Sequence, residues 1–300
     1  MASSVAQRVA LSGASGLIGT ALAASFKADG HEMVPLVRRK DAPGVFWDPA
    51  TGEVGPGLEG VDAVVHLAGE NIAAGRWTPA RKAAIRDSRV RGTAAVAGAL
   101  AGLKRKPRVL VCASAVGYYG DCDDALDETA GPGGDFLAQV CRAWEEAAEP
   151  AARAGIRVVN ARLGVVLSPD GGALAKMLTP FKLGLGGPVG DGQQWMSWVA
   201  LGDVVGALRH CAAERSLKGP VNVTAPGAVT SAKFAATLGR VLRRPAALPL
   251  PAFMVRVLFG EMGEALLLAG QRVLPARLKK AGYTFKHPEL EGALRHLLGR

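Results

Sequence analysis

The residues most able to do chemistry in this sequence form a glycine triplet between a predicted strand, residues 8–12, and a predicted helix, residues 18–29. The segment reads Gly13, Ala14, Ser15, Gly16, Leu17, Ile18 and Gly19. Glycines in such a turn let backbone N–H groups approach a pyrophosphate closely, and the positive end of the helix dipole favours its charge. A glycine triplet can also be an ordinary turn, but its place between strand and helix predicts a dinucleotide site.

An arginine pair, Arg38 and Arg39, follows the predicted second strand, residues 32–37. Enzymes that use NAD carry an Asp or Glu there, which binds the ribose 2′-hydroxyl and would repel a 2′-phosphate. Guanidinium groups instead bind phosphate through charge-assisted hydrogen bonds, so the sequence predicts NADP(H) as the cofactor. Because strand side chains alternate between faces, we expect only one arginine to face the cofactor. The alternative is that both are surface charges.

The elements that position these residues follow an alternating pattern of short β-rich runs and helix-length amphipathic segments. This pattern predicts an α/β fold with a doubly wound parallel sheet, the Rossmann fold. Further strands are predicted at 62–67, 109–113, 157–162 and 221–223, and further helices at 79–103 and 136–154. From about residue 168 the sequence becomes rich in Gly and Pro. We therefore expect a Rossmann domain of residues 1–167 with 200–225, and a smaller mixed α/β substrate-side region of residues 168–199 and 226–300.

Several longer motifs of this chain resemble the extended or atypical branch of the short-chain dehydrogenase/reductase superfamily. They are residues 13–19, 62–69, 89–93, 110–120, 162–166 and 198–205. Shorter strings are similar to the SDR39U1-like, or YfcH-like, epimerase family. They lie at 69–72, 76–78, 87–89, 134–136, 144–145, 180–188 and 222–298. The resemblance spans essentially the whole chain and implies an NADP-binding, reductase-like protein.

The resemblance also implies which residues meet the cofactor besides the glycine loop and the arginine pair. The segment at the end of the third strand would lie beside the adenosine ribose, the fourth strand would carry the active-site serine, and a later segment would meet the nicotinamide amide. The implied residues are Leu67, Ala68, Gly69, Cys112, Ser114, Leu163 and Val165.

The catalytic helix departs from the superfamily pattern, in which a Tyr-x-x-x-Lys pair supplies the general acid and the lysine that lowers its pKa. The two frames available here pair Phe136 with Val140, or Leu137 with Cys141. Neither frame offers a phenol or an ammonium group. The serine is retained, and the adjacent loop carries two tyrosines. The candidate catalytic residues are therefore Ser114, Tyr118 and Tyr119, and the alternative for the tyrosines is an aromatic cover over the pocket.

Arg89 replaces the asparagine that extended members carry in the preceding helix. Lys82 and Arg86 lie seven and three residues before it, so one helix face is strongly positive. We predict that Arg89 binds a cofactor phosphate or the adenosine ribose. The alternative is a solvent-facing arginine.

The overall charge is +10, from 36 Lys and Arg against 26 Asp and Glu, and ten of the basic residues lie between positions 76 and 108. A nucleic-acid partner is not expected, because this basic region has only Trp77 as an interleaved aromatic residue. A membrane partner is not expected either, because no apolar run approaches about 18 residues. The four dispersed cysteines favour free thiols and a cytoplasmic protein, with a trimmed organelle-targeted form as the alternative.

Two functions are consistent with these motifs. The first is an NADP(H)-dependent oxidoreductase or epimerase that acts on an unknown small carbonyl or sugar-like substrate through a non-standard acid. The second is an NADP(H)-binding regulatory or scaffold protein without turnover, which the missing Tyr/Lys pair favours. We expect a monomer or a homodimer.

Overall fold

The computed structural model describes residues 6–300, which form thirteen strands and eleven α-helices. The strands are β1 Arg8–Ser12, β2 Glu32–Val37, β3 Val45–Phe46, β4 Ala63–His66, β5 Val109–Ala115, β6 Cys122–Leu126, β7 Arg157–Leu163, β8 Val165–Ser168, β9 Trp195–Met196, β10 Trp198–Ala200, β11 Gly219–Val223, β12 Val229–Thr230 and β13 Gln271–Val273. The helices are α1 Leu17–Ala28, α2 Pro79–Ala101, α3 Phe136–Glu146, α4 Glu149–Arg153, α5 Gly172–Lys182, α6 Leu201–Ala213, α7 Ser231–Leu242, α8 Ala252–Phe259, α9 Glu261–Gly263, α10 Ala276–Lys280 and α11 Leu290–Leu297. A 3-10 helix spans Val116–Tyr119 and a π-helix spans Glu264–Leu268.

The central sheet has seven strands in the order β11-β7-β5-β4-β1-β2-β3, and every neighbouring pair is parallel. The strand order reverses between β1 and β4. In an open parallel sheet, ligands bind in the crevice outside the carboxyl ends of the strands at such a reversal. The predicted doubly wound fold is therefore confirmed, and its crevice lies where the glycine triplet follows β1.

Two hydrophobic clusters cover the two faces of this sheet. On one face, α1 and α6 pack Leu22 and Leu208 against the strands. On the other, α2 and α4 pack Leu100 and Ala151 against them. A third cluster joins α5, α7 and α11 through residues such as Leu238, outside the central sheet. Each helix thus buries one apolar stripe, and the polar ends of the strands remain for the site.

The helix predicted at 136–154 is interrupted, because α3 ends at Glu146 and α4 begins at Glu149. Pro150 lies in the first turn of α4. A proline ring has no N–H and clashes with the carbonyl four residues earlier, so it cannot continue the preceding helix. Within residues 6–300, none of the helices is both long enough and apolar enough to cross a membrane.

Candidate functional site

The glycine loop after β1 is folded tightly against two neighbouring segments. Gly13 has a φ of +70°, and a Cβ on it would lie 3.0 Å from the backbone nitrogen of Ala68. A Cβ on Gly19 would stand 2.0 Å from the carbonyl oxygen of Gly13. Gly16 has an ordinary φ of −79°, and its N–H donates to the Gly13 carbonyl at 3.0 Å. A side chain is therefore excluded at Gly13 by the backbone of the segment after β4, and at Gly19 by the backbone of the loop itself. A Cβ on Gly16 would approach only the Gly13 carbonyl, at 3.3 Å.

Leu67 and Ala68, which follow β4, are held in place by the last residue of β1. The Ser12 hydroxyl accepts the N–H groups of Leu67 at 3.1 Å and Ala68 at 3.2 Å. Its own proton is then available for the Nδ1 atom of His66, 2.7 Å away. Burial lowers the pKa of His66 to about 4, so the ring is the neutral acceptor that this arrangement needs. Sequence reasoning missed Ser12 and His66; polar residues at the ends of two apolar strands were the available signal.

Arg38 and Arg39 lie just beyond the end of β2, next to β1 in the sheet, and both are exposed. Arg39 lies 3.9 Å from Asp41, and both partners are at least 78% exposed, so the attraction is weak. Arg38 has no ion-pair partner among residues 6–300. Both guanidinium groups are therefore available to an anion at this end of the crevice.

Arg89 extends from α2 to the loop that follows β4. Its Nη1 atom donates to the carbonyls of Glu70 and Ile85, each at 3.0 Å, and its guanidinium lies 5.0 Å from the centre of the Trp144 ring. A Cβ on Gly69 would be 3.4 Å from its Cζ atom. Burial lowers the pKa of this guanidinium. The side chain is thus half-buried against the loop predicted to meet the cofactor, and does not extend freely into solvent.

The ends of β7 and β8 form the side of the crevice where the nicotinamide was expected. Leu163 is the last residue of β7, and the N–H of Val165 donates to the Ser197 carbonyl at 2.7 Å. Farther along, a Cβ on Gly171 would lie 3.5 Å from the Leu17 side chain. The segment after β8 therefore packs on Leu17, the first residue of α1.

The side chain of Cys112, on β5, points into the interior. Its side chain is 1% exposed and lies in the hydrophobic cluster beneath α2 and α4. Burial, with a smaller contribution from Glu145, raises the pKa of the thiol to about 12. The side chain of Cys112 is therefore part of the core and does not line the crevice. All four cysteines are free, as expected.

Ser114 is also turned into the interior rather than toward a substrate. Its hydroxyl donates to the Glu145 carboxylate at 2.7 Å, and the residue is 2% exposed. The same carboxylate accepts two hydrogen bonds from Arg162, from Nε at 2.7 Å and from Nη2 at 2.9 Å. Although burial alone would lower it, these bonds hold the pKa of Arg162 above its ordinary value. We call Ser114, Tyr119, Glu145, Arg162 and Asn222 the arginine network.

The two candidate tyrosines also contact Arg162. Its Nη1 atom donates to the Tyr119 hydroxyl at 2.9 Å, and that hydroxyl donates to Oδ1 of Asn222 at 2.8 Å. Burial raises the pKa of Tyr119, which is 5% exposed. The Tyr118 ring centre lies 3.4 Å from the Arg162 guanidinium carbon. Tyr119 is thus a buried member of the network and has no free phenol for proton transfer, whereas Tyr118 is half-buried and packs on the network from outside.

The helix that would carry the Tyr/Lys pair presents an apolar surface here. Phe136, Leu137 and Val140 pack with Trp77, which lies just before α2, and with Met262 from the C-terminal region. Cys141 is buried, which raises the pKa of its thiol to about 12. Neither frame of the catalytic pair therefore has an acid that ionises near neutral pH.

Six of the ten basic residues between positions 76 and 108 form ion pairs within the chain. Arg81 bonds Glu70 at 2.8 Å, and Lys82 bonds Glu261 at 2.6 Å. The remaining ion pairs of this region join Arg86 and Arg91 to Asp87, Arg105 to Glu59, and Arg108 to Asp62. Five carboxylates thus offset half of the positive charge of this region.

Comparison with known proteins identifies relatives over nearly the whole chain. Residues 9–224 match the NAD dependent epimerase/dehydratase family, and residues 250–297 match a domain of unknown function, DUF1731. An epimerase family protein of Mycobacterium tuberculosis is 47% identical over 95% of this chain and 96% of its own length. The human epimerase family protein SDR39U1 is 40% identical over 97% of this chain and 99% of its own length.

Solved structures give the same result. A crystal structure of human SDR39U1 with NADPH superposes with a TM-score of 0.91 and 37% identity, covering 97% of this chain and 99% of that chain. A nucleoside-diphosphate sugar epimerase from Corynebacterium glutamicum gives a TM-score of 0.81 and 37% identity, covering 98% of this chain and 59% of that chain. Taken with the glycine loop at the reversal of a parallel sheet, these matches show that the chain belongs to the NAD dependent epimerase/dehydratase family.

Proposed function

We propose that this protein binds NADP(H) in the crevice between the carboxyl ends of β1 and β4, without the tyrosine-dependent proton transfer of standard reductases. The observation that carries the first half is the glycine loop, in which a Cβ on Gly13 or Gly19 would occupy space that the backbone needs. The human relative crystallised with NADPH gives independent support.

The chain's own residues fit this cofactor in chemistry as well as in space. Backbone N–H groups of the loop and the beginning of α1 suit the pyrophosphate, since the helix dipole favours negative charge there. Arg38 or Arg39 suits the 2′-phosphate, because each is exposed and no strong ion pair competes for it. Arg89 holds the loop at Gly69 through the Glu70 carbonyl. When bound, the cofactor supplies or accepts a hydride.

The second half of the proposal rests on the arginine network. The Ser114 and Tyr119 hydroxyls are committed to buried partners, and the Tyr/Lys positions are apolar. A cofactor-responsive regulatory or scaffold protein is therefore the function that the geometry supports best. The second candidate, an oxidoreductase or epimerase on an unknown carbonyl or sugar-like substrate, depends on Tyr118, whose hydroxyl has no hydrogen-bond partner within residues 6–300.

Cofactor choice can be tested by replacing Arg38 and Arg39 together with Ala and titrating the protein with NADPH and NADH. We expect NADPH binding to weaken by about 2–4 kcal/mol, as for the loss of hydrogen bonds to a charged group, and NADH binding to change little. Arg142→Ala, an exposed arginine on α3 that pairs with Glu146, is the control. Equal weakening of both cofactors would overturn the assignment to NADP(H).

Turnover can be tested by measuring NADPH oxidation with small carbonyl compounds and nucleotide sugars, alongside NADPH binding by fluorescence. Binding without oxidation is the expected result. Oxidation that disappears in Tyr118→Phe but persists in Ser114→Ala would establish the enzymatic alternative and refute the non-catalytic one.

A further inference from the structure

The exposed large apolar side chains within residues 6–300 are concentrated on one part of the surface. They are Leu183, Leu185, Leu248, Phe253, Met254, Val257 and Leu258. We call this set the apolar face. Single exposed apolar residues are normal, but a group of this size at one place on a soluble protein marks a contact surface.

Backbone contacts join the parts of the apolar face. The segment after α5 runs beside the segment before α8, since the Leu248 N–H donates to the Gly186 carbonyl at 3.2 Å and the Gly190 N–H donates to the Leu250 carbonyl at 2.9 Å. Helix α8 then begins at Ala252. The two leucine-bearing segments are therefore paired, and α8 follows them directly along the chain.

Helix α8 itself is apolar on both sides. Val255 is fully buried on its inner side, whereas Phe253 is 65% and Val257 66% exposed. At about 100° per residue, the four exposed positions of this helix cover one outward face. The sequence thus maintains an apolar outer surface that the fold of this chain does not use.

The segments that carry the apolar face contain only cationic charged residues. Residues 172–190 and 229–260 contain seven Lys and Arg residues and no Asp or Glu. Lys182, Arg243 and Arg244 are exposed, and the Arg244 guanidinium donates to the Lys182 carbonyl at 3.0 Å, which places these residues together. None of the three has an ion-pair partner within residues 6–300. The carboxylates that follow α8, Glu261 and Glu264, are already paired with Lys82 and Arg256.

Arg243 has a backbone conformation that is unusual for a residue other than glycine. It has a φ of +55°, and it is the single non-glycine residue with positive φ within residues 6–300. A glycine normally ends a helix in this conformation, and another residue there is strained by about 1 kcal/mol. The end of α7 thus retains an exposed guanidinium at a position where the backbone favours glycine.

We propose that the apolar face docks on an anionic lipid surface, with α8 lying among the acyl chains at the boundary and Lys182, Arg243 and Arg244 contacting phosphate headgroups. This combination of apolar and cationic residues is characteristic of interfacial attachment. It needs no spanning segment, and it goes beyond the sequence-based expectation of no membrane partner. A second copy of the chain fits less well, because a two-fold interface through this face would bring the same cations together.

The test is co-sedimentation of the full chain with vesicles made of equal parts phosphatidylcholine and phosphatidylglycerol, compared with vesicles of phosphatidylcholine alone. We expect binding to the anionic vesicles, and weaker binding when salt is added. Replacing Phe253 and Val257 with Ser should lower the affinity by at least about tenfold. Replacing Lys182, Arg243 and Arg244 with Gln should lower it by about fivefold for each cation removed.

The control replaces Lys104 and Lys106 with Gln, which removes exposed cations from the loop between α2 and β5, where the Lys104 N–H donates to Glu59. This control should bind like the unmodified protein, and circular dichroism should show all variants folded. The proposal is overturned if the protein does not bind anionic vesicles. It is also overturned if the control variant loses as much affinity for them as the Ser and Gln variants of the apolar face. It is also overturned if the unmodified protein is a dimer that the Ser variant converts to a monomer, since the face would then be occupied by a second copy.

Discussion

Two regions at the carboxyl edge of the same parallel sheet differ in whether their polar groups are bonded to one another. On the β1 and β4 side, a loop of small residues lies against the backbone of the segment after β4 and carries no ionisable side chain. On the β5 and β7 side, Ser114 and Arg162 bond Glu145, so the polar groups bond to one another. The first region is open to an anion, and the second is closed on itself.

This difference shows that a binding site and a catalytic site place different requirements on the amino-acid sequence. Pyrophosphate recognition by backbone needs glycines that permit a close approach, and most other positions can change without loss. Proton transfer instead needs particular side chains with suitable pKa values at fixed positions. When those side chains are replaced, neighbouring polar groups must find other partners, because a buried polar group without a partner is costly. The arginine network is such a set of partners.

The largest expected effect tests whether the arginine network stabilises the fold. Arg162→Met leaves the Glu145 carboxylate buried without its cation, so we expect the free energy of unfolding to fall by about 3–5 kcal/mol. Chemical denaturation at neutral pH measures this change. Arg142→Met removes an exposed ion pair with Glu146 on the same helix and should cost less than about 1 kcal/mol. A fully stable Arg162→Met protein would show that the network is dispensable for folding.

The next effect tests the open region. In Gly16→Val the new Cβ would lie 3.3 Å from the Gly13 carbonyl and near nothing else, so the fold should be retained. The side chain would occupy the space of the pyrophosphate and weaken NADPH binding by about 3–4 kcal/mol through lost bonds to a charged group. Titration with NADPH and circular dichroism separate binding from folding. Gly98→Val, where a Cβ meets nothing within 4 Å, is the control. A folded Gly16→Val protein with unchanged affinity would remove the loop from the site.

The next prediction concerns His66, which lies beneath the open region, and the dependence of stability on pH. The pKa of His66 is about 4 in the folded protein against an ordinary value of 6.5, so the unfolded chain binds the proton more readily. The contribution of His66 to the free energy of unfolding is fully present above about pH 6.5. As the pH falls toward 4 this contribution is lost, and the total loss is about 3 kcal/mol. Denaturation curves of wild type and His66→Gln should therefore converge on acidification. Parallel pH profiles for wild type and His66→Gln would contradict the assignment.

The smallest effect compares the two tyrosines. Tyr119→Phe removes a hydroxyl that bonds Arg162 and Asn222, and we expect it to cost about 1–2 kcal/mol of stability without changing NADPH affinity. Tyr118→Phe removes a hydroxyl with no hydrogen-bond partner within residues 6–300 and should be nearly neutral. Thermal unfolding in both variants measures the contrast. Loss of NADPH affinity in Tyr119→Phe would place the network inside the cofactor site.

The sequence by itself determined the features that depend on local order along the chain. The strand–glycine–helix succession after residue 8 specified both the parallel sheet and the position of its crevice, because a phosphate loop is continuous in sequence. The lack of a carboxylate directly after β2 and the presence of Arg38 and Arg39 indicated the preferred cofactor, because these residues are neighbours along the chain. The missing Tyr/Lys pair was equally visible.

Only the tertiary structure decided what the remaining polar residues do. Ser114, Glu145, Arg162 and Asn222 lie on four different elements, so their pairing could not be inferred from spacing along the chain. The same holds for Ser12 and His66, which are 54 positions apart. Whether a polar side chain faces a ligand or the interior is set by which partners the fold brings within hydrogen-bond distance, because burial makes an unpaired group too costly to keep.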